Sequence, residues 1–137
     1  MKEYVLRSEN FELSLGFEIL ETDLSDPVNA ALYVSVKSGG YSASAALGIN
    51  SKAFAAFCAD VKKLYDVQNG AAVIREKGEN GRYISLSGEG TGQIKLRGYL
   101  CDESRENELY FGGAADRDDL RRFALELYAK YENYKLS

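Results

Sequence analysis

The sequence predicts a single α+β domain over residues 1–137, built on a largely antiparallel sheet of about seven to eight strands with two amphipathic helices on one face. Three observations predict it. Apolar and polar residues alternate in several short segments, the period of a strand with one wet face. Two longer segments repeat apolar residues at spacings of three and four instead, the stripe of an amphipathic helix. The segments follow one another as ββββ-α-ββββ-α, and no strand–helix–strand alternation calls for a parallel sheet.

A short strand around Tyr4–Arg7 opens the chain. Phe11, Leu13, Leu15, Phe17 and Ile19 alternate with Glu12, Ser14, Gly16 and Glu18 in the second strand. Leu32, Val34 and Val36 repeat the pattern. After the turn signal Ser38-Gly39-Gly40, so do Tyr41, Ala43, Ala45, Leu47 and Ile49, which makes a hairpin. The period changes at Asn50-Ser51, either of which supplies a cap oxygen. Phe54, Phe57, Cys58, Val61, Leu64 and Tyr65 then mark a helix over 52–67, ended by a left-handed turn at Asn69-Gly70. Ala72–Glu76 and Arg82–Ser87 form the next strand pair, joined through Glu79-Asn80-Gly81, whose Asn-Gly suits a type I′ turn. Ile94–Cys101 and Glu108–Gly112 form the last pair, across a charged loop at Asp102–Asn107. A second helix starts at Asp116, where Asp119 completes a capping box ahead of the stripe Leu120, Phe123, Ala124, Leu127 and Tyr131. The two stripes superpose at an offset of 66 residues, as an old duplication or one packing rule obeyed twice would each produce.

Composition narrows the function classes. A hydrophobic fraction of 45% with a single proline, Pro27, is that of a globular chain without a disordered linker. No apolar run approaches the ~20 residues needed to span a bilayer, and the N-terminus lacks the apolar stretch of a secretory signal. The expectation is a cytoplasmic chain with Cys58 and Cys101 reduced and neither membrane nor anchor involved. A net charge of −4 is a poor profile for nucleic-acid binding. The imbalance is local: Glu3, Glu9, Glu12, Glu18, Glu21, Asp23 and Asp26 face only Lys2 and Arg7 in the first 27 residues. Such an edge either limits sheet aggregation or steers a basic partner.

Catalytic signals are missing. There is no histidine, which removes the common general base and the commonest metal ligand. Asp116, Asp118 and Asp119 form the densest carboxylate group, but acids in the first turn of a helix are what its dipole favours. Gly88-Glu89-Gly90-Thr91-Gly92 precedes a strand rather than a helix, so it reads as a hairpin turn and not a phosphate cradle. The expectation is therefore no enzyme, no cofactor and no metal.

Ten tyrosines and no tryptophan point to binding instead. Strand parity places Tyr33, Tyr83, Tyr99 and Tyr110 on outer sheet faces, where tyrosine offers contact area with a polar tip. Lys37, Lys95 and Arg97 would make those faces mixed rather than apolar. The candidate contacts are Glu18, Glu21, Asp23 and Asp26 on the acidic segment, with Tyr33, Lys95, Arg97, Tyr99 and Tyr110 on the sheet.

The segment from Tyr41 to Tyr131 resembles the WapI-type immunity proteins of bacterial contact-dependent toxin systems and related small domains. The likeness runs through Gly40-Tyr41-Ser42-Ala43, Phe54-Ala55-Ala56-Phe57 and Leu64-Tyr65. It continues through Leu86-Ser87-Gly88-Glu89-Gly90-Thr91-Gly92-Gln93-Ile94-Lys95-Leu96-Arg97-Gly98-Tyr99-Leu100, Leu109-Tyr110-Phe111 and Asp116-Arg117-Asp118-Asp119-Leu120. The chain departs from the family at Asn29-Ala30-Ala31-Leu32, where Asn-Trp-Leu is frequent. The resemblance implies a stoichiometric inhibitor that binds a cognate toxin C-terminal domain, often a nuclease with a basic groove. The alternative is a small-ligand-binding or assembly module of the same fold; a deep apolar pocket between helices and sheet would favour it.

Overall fold

Alternating side chains over the first 49 residues build four strands that pair in sequence order: β1 (Glu3–Ser8), β2 (Phe11–Ile19), β3 (Ala30–Ser38) and β4 (Tyr41–Ile49). A computed structural model describes residues 1–20 and 26–131, Tyr131 by its backbone alone. Helix α1 (Ser51–Val67) follows, then a second antiparallel meander, β5 (Asn69–Arg75), β6 (Tyr83–Glu89), β7 (Gln93–Cys101) and β8 (Glu108–Asp116). Helix α2 (Arg117–Tyr131) closes the order. The fold is thus α+β with the expected element order, and its eight strands divide into two four-stranded sheets. The division falls at α1, which separates β4 from β5 and starts a new meander.

One core joins both sheets and both helices. Tyr4, Leu13, Leu15, Val34 and Leu47 of the first sheet share it with Ile84, Leu86, Ile94 and Leu96 of the second. The stripes Phe54, Phe57, Cys58, Val61 and Leu120, Phe123, Ala124, Leu127 are all buried in it. Phe54 stacks on Phe17 with ring centroids 4.4 Å apart, and each such side chain contributes about 1.5–3 kcal/mol by leaving water. Both helices therefore lie on the inner side of the sheets, leaving the outer faces open. Each half of the chain is a four-stranded meander followed by a helix, and α1 and α2 begin 66 residues apart at Ser51 and Arg117. The Tyr131 side chain of the matched stripes lies outside the described residues.

Local chemistry explains the ends of the elements. The Asn50 side chain caps α1 by accepting from Lys52 N at 2.8 Å, while the buried Asn29 accepts from Ser51 N at 2.8 Å. The left-handed residue ending α1 is Gln68 (φ 57°), one place before the Asn69-Gly70 expected from sequence; Asn69 already begins β5. Gln68 O accepts from Gly90 N at 2.6 Å and sits 2.8 Å from where a Cβ on Gly88 would stand. The glycine-rich turn is therefore the seat of the helix end.

The type I′ turn expected at Asn80-Gly81 does not form. Positive φ occurs at Gly78 and Gly81 but not at Asn80, and a longer loop runs from Glu76 to Arg82. An ion pair inside that loop overrides the dipeptide preference. Arg82 Nε donates to Glu76 Oε2 at 2.7 Å, with side-chain exposures of 9% and 3%. The capping box of α2 is present: Asp116 N donates to Asp119 Oδ2 at 3.1 Å and Asp119 N to Asp116 Oδ1 at 2.8 Å.

The open edge of β8 is covered. Ser38 Oγ and Ser8 Oγ donate to the carbonyls of Gly112 and Ala114, each at 2.7 Å, and the Phe11 ring lies over Gly113. Cys58 and Cys101 are free and buried, and burial pushes the Cys58 thiol far above its ordinary pKa. Among the described residues no helix is long and apolar enough to cross a membrane.

Candidate functional site

Strand register assembles a cross-strand row on the outer face of the β5–β8 sheet. Arg75 pairs with Tyr83, Tyr83 with Tyr99, and Tyr99 with Tyr110, so one side chain from each strand stands in line. The members touch: the Arg75 guanidinium lies 4.6 Å from the Tyr83 ring centre, and the Tyr99 and Tyr110 rings are 4.5 Å apart and tilted. Tyr110 is 74% exposed at the end of the row.

Arg97 and Lys95 follow on β7, two and four residues before Tyr99, and therefore point to the same face. Their cross-strand neighbours are Ser85 with Gly112 and Ser87 with Ala114. These small side chains leave both cations exposed, and neither makes an ion pair among the described residues. The result is a flat face carrying Arg75, Arg97, Lys95 and exposed Val73 beside an aromatic strip.

Of the candidate contacts, Lys95, Arg97, Tyr99 and Tyr110 are brought together on this face. Tyr99 requires a correction: it points outward but is only 4% exposed, so it offers almost no contact area. Its neighbours Tyr83 and Tyr110 flank it, and its hydroxyl donates to Glu108 Oε1 at 2.5 Å. That bond to the neutral phenol, aided by desolvation, raises its pKa well above the ordinary tyrosine value. Tyr99 is the support of the row and Tyr110 its exposed end.

The remaining candidates lie elsewhere. Tyr33 is 39% exposed on the outer face of the first sheet, opposite Gly16 and Ala46. Glu18 is exposed on β2 and Asp26 in the connection to β3, where its carbonyl accepts from Asn50 Nδ2 at 2.7 Å. Glu21 and Asp23 lie outside the described residues. Glu12 is committed to Arg7, whose Nε donates to it at 2.7 Å. Glu18 and Asp26, the described acids among the candidates, therefore lie on and beside the first sheet, apart from the tyrosine–arginine face. Arg75 is the member that the sequence reading missed. Its parity with Val73 was legible, but its alignment with Tyr83 depends on the length of the Glu76–Arg82 loop.

The densest carboxylate group of the sequence is accounted for by helix capping. Asp116 and Asp119 are occupied by the capping box, and among the described residues no group of three acids or cysteines could hold a metal ion. The centre between helices and sheets is occupied by the core, and at its margin an open cleft of about 670 Å³ lies between β1–β2 and α2, lined by Lys2, Tyr4, Phe17, Glu126 and Lys130 among others. Surface clefts exist, one of about 490 Å³ between β4 and the β7–β8 loop. No protein-family model matches the chain, and no curated protein sequence is significantly similar to it.

Proposed function

We propose that this protein is a stoichiometric binding protein that neutralises a bacterial toxin domain, docking it on the outer face of the β5–β8 sheet. The observation that carries the binding reading is the open Arg75–Tyr83–Tyr99–Tyr110 row with Arg97 and Lys95 beside it. Tyrosine and arginine dominate interface hot spots because they combine apolar area with directed hydrogen bonds at small entropic cost. The row is already ordered by its internal contacts, so little freedom is lost on docking. The toxin as partner rests on the resemblance to WapI-type immunity proteins. The net charge of −4 suits a partner with a basic groove, by long-range steering rather than contact at the cationic row.

Calorimetric titration with the toxin domain encoded beside this protein tests the reading. A one-to-one complex is expected, with Tyr110→Ala and Arg97→Glu each weakening it at least tenfold, the scale of a hot-spot loss. Affinity indifferent to both changes would move the contact to another surface. No complex at all would remove the toxin as partner.

A further inference from the structure

The four outer strands of the two sheets are treated unequally. The edge of β8 is closed by Ser8 and Ser38, and β1 and β5 run beside α2 and α1. No strand pairs with the outer edge of β4, although the end of β7 comes near it across a cleft. The hairpin of β4 with β3 has a two-residue turn, Gly39-Gly40, with Gly39 at φ 61°, and an unbroken register from Ser38↔Tyr41 to Ala30↔Ile49. In such a hairpin the residues flanking the turn exchange both backbone bonds and every second residue turns its N–H and C=O outward. Ser42, Ser44, Ala46 and Gly48 are the outward set. Gly48 already has a partner there, since its carbonyl accepts from Lys77 N at 2.9 Å. Among the described residues no hydrogen bond reaches the outward backbone groups of Ser42, Ser44 and Ala46.

Natural edges are usually blunted by lysine, proline, a bulge or a covering segment. The sequence of β4 from Tyr41 to Ile49 contains no charge and no proline, and the register has no bulge. Alongside Tyr41–Ser44 runs the cleft of about 490 Å³, whose far wall is Leu100–Asp102 and Glu106–Leu109. Three carboxylates line it and no lysine or arginine does: Asp102, which accepts bonds from Ser104, Glu106 N and Asn107 of its own loop, Glu108, which accepts from Tyr99, and exposed Glu106.

We infer that the β4 edge is a strand-addition site, which takes an extended segment of a partner polypeptide with lysine or arginine at alternating positions. The segment's backbone pairs with Ser42, Ser44 and Ala46, and its side chains on one face meet the acidic wall. A second copy of this chain is disfavoured as occupant, because β4 brings no cation and twofold pairing would oppose two acidic walls. The site goes beyond the toxin reading and holds whichever protein is bound. It also adds area: the β5–β8 face alone, roughly 14 Å by 20 Å, falls short of the ~800 Å² per partner of a standard interface.

The test is selection of a displayed random dodecapeptide library on the full chain, followed by amide NMR with the selected peptides. Peptides with alternating basic residues are expected, shifting the amide signals of Ser42, Ser44 and Ala46. Ser44→Pro removes an outward N–H without touching the β3 ladder and should lower affinity at least tenfold. Glu106→Lys, on the exposed loop, should lower it at least threefold in a fold left intact. Failure to enrich any peptide, enrichment of acidic peptides, or binding unchanged in both variants would overturn the inference. Concentration-dependent dimerisation abolished by Ser44→Pro would also overturn it, assigning the edge to a second copy.

Discussion

The ion pair between Glu76 and Arg82 determines whether the tyrosine–arginine row stands in line. Glu76 follows Arg75 directly and Arg82 precedes Tyr83, so the pair fixes the two strand ends that present those residues. Arg82 Nη1 also donates to Cys101 O at 3.3 Å, holding β7 near Tyr99. Both side chains are almost fully buried, so removing Arg82 leaves the Glu76 charge uncompensated away from water, at a cost of about 3–5 kcal/mol, while removing Glu76 leaves Arg82 only its 3.5 Å ion pair with exposed Glu103 and costs somewhat less. Replacing both by apolar residues of similar size removes the orphan and should restore most of that loss. For 137 residues the unfolding entropy is about 0.29 kcal/mol/K, so a 3 kcal/mol loss lowers the melting temperature by about 10 °C. The assay is a double-mutant cycle in urea with Glu76→Met, Arg82→Met and Glu76→Met/Arg82→Met. Singles that cost less than about 1 kcal/mol, or a double variant equal to the sum of its singles, would refute the reasoning. The pair would then be solvated and the loop held by something else.

Other consequences follow from close packing, titration and charge. Gly98→Ala would place a Cβ 2.2 Å from Phe111 Cζ and 2.6 Å from Tyr83 O, so a loss of about 1–3 kcal/mol is expected on chemical denaturation; a neutral effect would contradict the packing. The Tyr99 phenol has its folded pKa raised above the unfolded value of about 10, mainly by its bond to Glu108, so its stabilising contribution is complete below pH 10 and lost as pH rises beyond it. The urea midpoint should therefore fall more steeply between pH 9.5 and pH 11 in the native chain than in Tyr99→Phe, with pH limits set about the ordinary tyrosine value. Changing Glu18, Glu21 and Asp23 together to lysine should slow association with the proposed toxin partner and flatten its salt dependence; an unchanged on-rate would remove the steering role.

Much of this architecture is legible in the chain because its causes are local. Phe11, Leu13, Leu15 and Phe17 are buried as their alternation implies, with Ile19 exposed at the strand end, and the Phe54–Leu64 stripe and the Asp116–Asp119 box act within a few residues. What escaped local reading has non-local causes. Asn80-Gly81 favours one turn in isolation, but burying Arg82 against Glu76 and Cys101 imposes another. Helix α1 stops at Gln68 because Gly88 and Gly90, twenty residues on, admit its carbonyl. Strand parity identified the outer-face tyrosines, yet only register shows that Tyr83 and Tyr110 flank Tyr99, and only the fold separates Glu18 from the cationic face. The unpaired edge of β4 depends likewise on what the remaining chain leaves uncovered.

The most direct test of the account is survival of cells that co-express this protein with the C-terminal domain encoded by the neighbouring gene, the proposed toxin, comparing the native chain with a Tyr110→Ala/Arg97→Glu variant of equal melting temperature. The account predicts rescue by the native chain and none by the variant. Equal rescue by both would contradict the assignment of the β5–β8 face, and death in both would contradict the toxin as partner.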